Sequence, residues 1–193
     1  MIRKLLTVML LISIIMPATV SAHPVGSPCS PGSDTATVGY VVDCFNHQAN
    51  ASFNYRIDSG VTTLYSGYVT TGAANWNATG IVSISKSITS TSQGYVYTYT
   101  DPNTSYQATF GFITSDSNGH LISWTIMLNK SLMDGYSDAK NKEIATHEFG
   151  HAIGLNDLTN FSNSDKLMYS FSSRTASTPT TKDQNGAIEA TKH

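Results

Sequence analysis

His147-Glu148-Phe149-Gly150-His151-Ala152-Ile153-Gly154-Leu155-Asn156-Asp157, followed ten residues later by Leu167-Met168-Tyr169, is the stretch around which the rest of the chain is organised. Residues four apart share a helix face, so the imidazoles of His147 and His151 can converge on one metal ion. Glu148 then points toward the open coordination position, where its carboxylate can take a proton from a zinc-bound water. Gly154 adopts positive φ at little cost, which suits a helix that must stop and turn there, and the turn returns Asp157 to the metal. His147, His151 and Asp157 are therefore the expected zinc ligands and Glu148 the expected general base. Three protein ligands plus water define a catalytic zinc; a structural zinc is closed by a fourth ligand, and no cysteine lies near this cluster.

A bare His-Glu-x-x-His pentapeptide arises by chance on ordinary helices, but a glycine, a third ligand and a methionine at fixed offsets beyond it make chance a poor explanation. The segment from His147 to Asp157 resembles the metzincin signature His-Glu-x-x-His-x-x-Gly-x-x-His or Asp, and Leu167-Met168-Tyr169 resembles its Met-turn. Within that clan the chain is most similar to matrixin-like secreted bacterial metallopeptidases, because Tyr169 follows Met168 directly. Astacin-like and serralysin-like enzymes place a tyrosine ligand two residues after the methionine; Ser170 stands there in this chain. Asp157 departs from the usual matrixin histidine and is similar to the snapalysin type of site. A carboxylate ligand adds negative charge to the metal, weakens its Lewis acidity and raises the pKa of the bound water. No Pro-Arg-Cys-Gly switch of the matrixin propeptide kind occurs in the sequence.

Residues 1–22 read as a secretory signal peptide. Arg3 and Lys4 precede an apolar run from Leu5 to Met16, and Val20-Ser21-Ala22 supplies a small-residue cleavage site; the run is too short to span a membrane. Removing 22 of the 193 residues leaves 171, enough for one domain with a real core. It also lowers the basic count from 11 to 9 against 13 acidic residues, so the mature chain is mildly acidic. That balance excludes nucleic acid as a natural partner, and no polybasic stretch serves an anionic membrane. A secreted monomer acting on protein or peptide is expected.

Residues 23–51 form a Pro-, Gly- and Ser-rich lead-in, mobile or pinned by a disulfide. Cys29 and Cys44 are the only cysteines, and an even pair in an exported protein is most simply a bridge. The functional alternative makes Cys29 a latency ligand on zinc. His23 and His47 have no ligand partner at regular spacing and read as solvated.

Residues 52–193 read as the catalytic domain. Phe53, Tyr55 and Ile57 alternate as a strand; Val61, Leu64, Tyr65, Tyr68, Val69 and Trp76 recur at helical intervals; Ile81, Val82 and Ile84 make a second strand, giving a parallel βαβ unit. Tyr95, Tyr97 and Tyr99 form a third strand. Tyr106 to Thr114 and Leu121 to Leu128 form a hairpin across Ser115-Asp116-Ser117-Asn118-Gly119-His120. That link carries oxygen ligands suited to a structural calcium ion, with His120 as a further metal-ligand candidate, although a turn needs the same residues. The active-site helix spans about Ala139 to Gly154, with Ile144 and Ala145 toward the core. Thr181-Lys182-Asp183-Gln184 reads as a capping box for a last helix carrying Ala187 and Ile188.

The resemblance implies an α+β, metzincin-like domain: a twisted mixed sheet of about five strands, an active-site helix, a Met-turn and a C-terminal helix. It further implies that an edge strand within Tyr106 to Leu128 pairs with extended substrate, and that Met168 underlies the metal. Tyr169 and residues 170–179 would wall the substrate pocket. The function so read is a secreted zinc endopeptidase with Glu148 as base. The alternatives are a non-catalytic, zinc-stapled binding module, against which Glu148 counts, and a metal-dependent hydrolase of a non-peptide bond.

Overall fold

The computed structural model describes residues 29–192, so the leader read in residues 1–22 and His23 lie outside it. The described chain enters through a small antiparallel pair, β1 (Gly32–Ser33) and β2 (Tyr40–Val41). Cys29 and Cys44 are bridged, with their Cα atoms 5.7 Å apart. Both thiols are thereby used, which removes Cys29 as a latency ligand.

Strand β3 (Ser52–Ile57) alternates as read, with Phe53 and Tyr55 buried. Helix α1 (Thr63–Asn77) starts where the Thr62 side chain accepts from the Tyr65 backbone N–H, and it buries Tyr65, Tyr68, Val69, Ala73 and Trp76 along one stripe. The return into β4 (Ser83–Lys86) is held by Asn77, which accepts from Ile84 N at 2.7 Å and donates to Ile84 O at 2.9 Å. β4 lies parallel to β3, so the strand, helix, strand unit forms as expected. β5 (Gly94–Tyr99) runs parallel to β3 on its other side. β6 (Ala108–Ser115) and β7 (Leu121–Asn129) form the antiparallel hairpin, and β7 lies parallel to β5. The five-stranded order is β4-β3-β5-β7-β6, which makes β6 an edge. Its ladder shifts register between Gly111 and Thr114, where Phe112 has φ 46°. A bulge of this kind re-aims an edge strand.

A short helix not anticipated from the sequence, α2 (Lys130–Met133), follows β7 and is capped by Asn129. The active-site helix α3 (Asp138–Ile153) begins at the Ser137 cap, within a residue or two of the expected limits. It packs on α1, where Trp76 Nε1 donates to Thr146 O at 2.8 Å. Its other side meets the sheet, with Phe149 edge-on to Tyr55 at 5.0 Å between centroids and to Trp124 at 6.3 Å. Such aromatic contacts dominate the burial in this core. Helix α4 (Thr181–Thr191) opens one residue earlier than read: its capping box joins Thr180 to Asp183, because Asp183 already faces inward. Ala187 is buried, but Ile188 is half exposed and does not pack behind the site.

Two expectations are corrected, one in the lead-in and one in the hairpin loop. His47 is fully buried; its N–H donates to Gly119 O, its carbonyl accepts from Leu121 N, and its ring lies edge-on to His120 at 5.2 Å. Loop 115–120 is organised as a turn, since Asp116 Oδ1 accepts from Asn118 N and His120 N while Oδ2 meets His120 Nδ1 at 3.1 Å. These bonds use the carboxylate that calcium would need, so a structural calcium is not supported and His120 is an Asp116 partner.

Replacing both Cys29 and Cys44 by serine should lower the unfolding free energy by about 3 kcal/mol, the entropy of closing a loop of this length. Urea denaturation of the oxidised wild type beside the double variant measures it; equal midpoints would contradict a structural role for the bridge.

Candidate active site

The end of α3 and the turn after it bring three of the four expected site residues together. Ligand atoms of His147, His151 and Asp157 all lie within 4.8 Å of one another. Asp157 Oδ1 is 3.2 Å from His147 Nε2 and 3.8 Å from His151 Nε2, and the two imidazoles stand nearly perpendicular at 4.8 Å. Glu148, the fourth, is buried beside them.

Each imidazole is oriented by a backbone carbonyl. His147 Nδ1 lies 2.8 Å from Leu167 O and His151 Nδ1 lies 2.7 Å from Leu155 O. A carbonyl only accepts, so in the neutral rings both Nδ1 atoms carry the proton and both Nε2 lone pairs face the Asp157 carboxylate. That arrangement is the one a metal-ligating histidine needs. Burial, reinforced by the charge of Arg174, pushes the His147 pKa down to about 4 against the Asp157 hydrogen bond, so the ring is neutral at pH 7. Burial pushes the Glu148 carboxyl up to about 7, opposed by the nearby charge of His151. Among the described residues, Glu148 Oε2 is buried without a hydrogen-bond partner. An orphaned carboxylate oxygen beside two converging imidazole lone pairs and an acidic oxygen is a donor set that fits a zinc ion with a reacting group next to it.

Two glycines in the motif are required by close approach. At Gly150 a Cβ would lie 2.2 Å from Met168 Sδ, so the buried methionine sits against the bare backbone between the two histidines. Gly154 has φ 120°, and a Cβ there would meet His47 Cβ at 2.4 Å. The lead-in thus lies directly on the helix end. Gln48 N donates to Ile153 O, Gln48 Nε2 to Ala152 O and Asp43 N to Gly154 O. These bonds satisfy carbonyls left orphaned where the helix stops. Asn156 N donates in turn to Val41 O.

Three further residues shape the site and carry no local signal in the sequence. Asp183, fully buried on α4, accepts from Leu167 N and Met168 N, each at 3.1 Å, and so fixes the peptide whose carbonyl orients His147. Asp34 in the lead-in accepts from Thr159 N, Thr159 Oγ1, Asn160 N and Asn163 Nδ2, clasping the arm just beyond Asp157. Burial alone would raise the Asp34 carboxyl, but these four donors hold it below the usual carboxylate range. Arg174, nearly buried, sits 2.7 Å from Glu143 and donates to Tyr169 O.

The site opens into a cleft of about 640 Å³ lined by residues 105–107 and the start of β6 (Ala108, Thr109, Phe110), and by Ser170, Phe171, Ser172 and Arg174. Tyr169, expected in the wall, is buried and lies behind it.

No family model and no curated protein matches the sequence. Solved structures do match. Myroilysin superposes with a TM-score of 0.50 at 16% identity, over 77% of this chain and 83% of that one. High choriolytic enzyme 1, a hatching-enzyme zinc protease from Oryzias latipes (Medaka fish), gives a TM-score of 0.35 at 15% identity, over 59% of this chain and 50% of its own. The second likeness is too remote to weigh. The first shows the fold, an α+β domain around a mixed five-stranded sheet, as the sequence implied.

Two variants test this architecture. Asp183→Ala strands several buried N–H groups, each worth about 1 to 3 kcal/mol, and should lower Tm sharply in calorimetry. For Asp34 the depressed pKa means stability present above the ordinary carboxylate pKa and lost as pH falls through the lower folded value. Wild type should therefore lose more stability than Asp34→Asn between about pH 5 and pH 3 in urea titrations, and parallel losses would refute the clasp.

Proposed function

We propose that the chain is a secreted zinc-dependent endopeptidase, with His147, His151 and Asp157 as metal ligands and Glu148 as general base. One observation carries this reading: two tautomer-fixed imidazoles, one carboxylate and a second, unpartnered carboxylate meet at the floor of a cleft. When bound, zinc supplies Lewis-acid polarisation of a carbonyl and lowers the pKa of water. Glu148 holds the proton taken from the attacking water and passes it to the leaving amine, and its burial, which raises the carboxyl pKa, favours holding that proton. His147 and His151 stay directed, because Leu167 O and Leu155 O hold their Nδ1 atoms. β6 offers an unpaired backbone edge along the cleft, to which an extended peptide can add as a strand. No covalent enzyme intermediate is involved.

The matrixin-like assignment rests on Tyr169 following Met168 directly and on Ser170 standing where an astacin-like enzyme has tyrosine. Export is supported by the pattern of residues 1–22 and by the Cys29–Cys44 bridge, since disulfides persist in oxidising compartments. The division into leader 1–22, lead-in 23–51 and catalytic domain 52–193 belongs to the same proposal. A non-catalytic zinc-stapled module is the competing reading. The buried, unpartnered Glu148 oxygen speaks against it, because a staple gains nothing from that cost.

The test is cleavage of denatured casein by the purified chain after removal of residues 1–22. Chelation should abolish cleavage and added zinc restore it. Glu148→Ala should bind one zinc per chain, as metal analysis would report, yet lose at least about 100-fold in kcat. Equal turnover by Glu148→Ala would remove it as base; a zinc-loaded wild type that cuts nothing would favour the binding module.

A further inference from the structure

Next to the metal ligands, between α3 and the segment after Tyr169, the cleft wall holds three charged side chains that the proposed chemistry does not use. Glu143 precedes His147 by one helical turn. Its Oε1 lies 2.7 Å from Arg174 Nε and 2.6 Å from Lys140 Nζ, so one carboxylate serves two cations. Lys140 also donates to Ser172 O at 2.7 Å, which with the Arg174–Glu143 pair ties this wall to α3, while Arg174 Nη1 donates to Tyr169 O at 3.1 Å within the wall itself. The side chains of Lys140, Glu143 and Arg174 are only 19%, 11% and 5% exposed. The triad therefore carries a surplus positive charge in a place poorly screened by water.

Arg174 is the member that lines the cleft, as do Ile144 and the half-exposed Phe171. Arg174 lines the same cleft as His147, Glu148 and Asp157, which places it on the wall of the reacting centre. A guanidinium has five N–H donors, and among the described residues Arg174 makes an ion pair with Glu143 and one hydrogen bond, to Tyr169 O. Donors remain for an incoming acceptor. A carboxylate is the group whose geometry matches that fork, and it would also neutralise the surplus charge.

We propose that this part of the cleft is a selectivity pocket for an acidic side chain, aspartate or glutamate, on the substrate residue bound beside Arg174, with Phe171 as an apolar rim. This rests on the peptidase reading. Ile144 and Phe171 without the charged floor would instead select an aliphatic or aromatic residue.

The experiment is cleavage-site profiling of the zinc-loaded enzyme on a peptide library, followed by kcat/KM on matched Asp/Asn and Glu/Gln peptides at the preferred position. Wild type should favour the acid over its amide by about tenfold, the worth of one charge-assisted bond. Arg174→Gln should bring that ratio close to one. Glu143→Gln, which removes the internal competitor, should raise it above wild type. Opposite shifts from two members of one ion pair separate selectivity from a general loss of fold, and the wild-type ratio is decisive even if Arg174→Gln does not fold. Cleavage with no acid preference, or with an apolar preference, overturns the pocket and leaves the peptidase standing. No cleavage of any peptide by the zinc-loaded wild type overturns both.

Discussion

The Asp183 carboxylate is the contact on which the site most depends. Fully buried, it gathers the N–H groups of Leu167, Met168 and Thr180, and through the Leu167 carbonyl it sets the ring of His147. The same peptide places Met168 against Gly150, so helix spacing, turn position and imidazole direction are all referred to one point. Burying such a group is costly unless every lone pair is used, and here the α4 cap and the Met168 turn use them together. The helix cap and the histidine orienter are thus one network.

The C-terminal end of α3 is finished by a different part of the chain. Gln48 and Asp43 take the carbonyls of Ala152, Ile153 and Gly154, and Asp34 clasps the arm beyond Asp157. A segment whose composition reads as linker is instead packed into the domain. Its burial of His47 and Gln48 follows from the backbone bonds they make, which composition does not report.

What was legible was local. The His147 to Asp157 spacing, the period-two strands and the stripe of α1 each repeat within a few residues, and the structure has them where the pattern placed them. What was missed is long-range. Asp34 meets residues 125 and more positions away, and Arg174 meets Glu143 of α3 from the segment after Tyr169. A lone Asp or Arg in a polar run carries no period, so nothing in its neighbourhood marks it. The one-residue error at α4 has the same origin: Thr180 and Thr181 are equal candidates locally, and the choice is made by Asp183 turning inward.

The lead-in also bears on the order in which the site is assembled. Gln48 bonds a helix end 104 residues further along, and Asp34 an arm 125 residues further along. Contacts of such separation form late, since the intervening chain must first be brought to order. A chain synthesised from its N-terminus carries the brace from the start, but has nothing to brace until α3 and the turn after it have emerged. The cleft therefore takes its final shape only once nearly the whole polypeptide is available, and an incomplete chain holds the histidines without the frame that aims them.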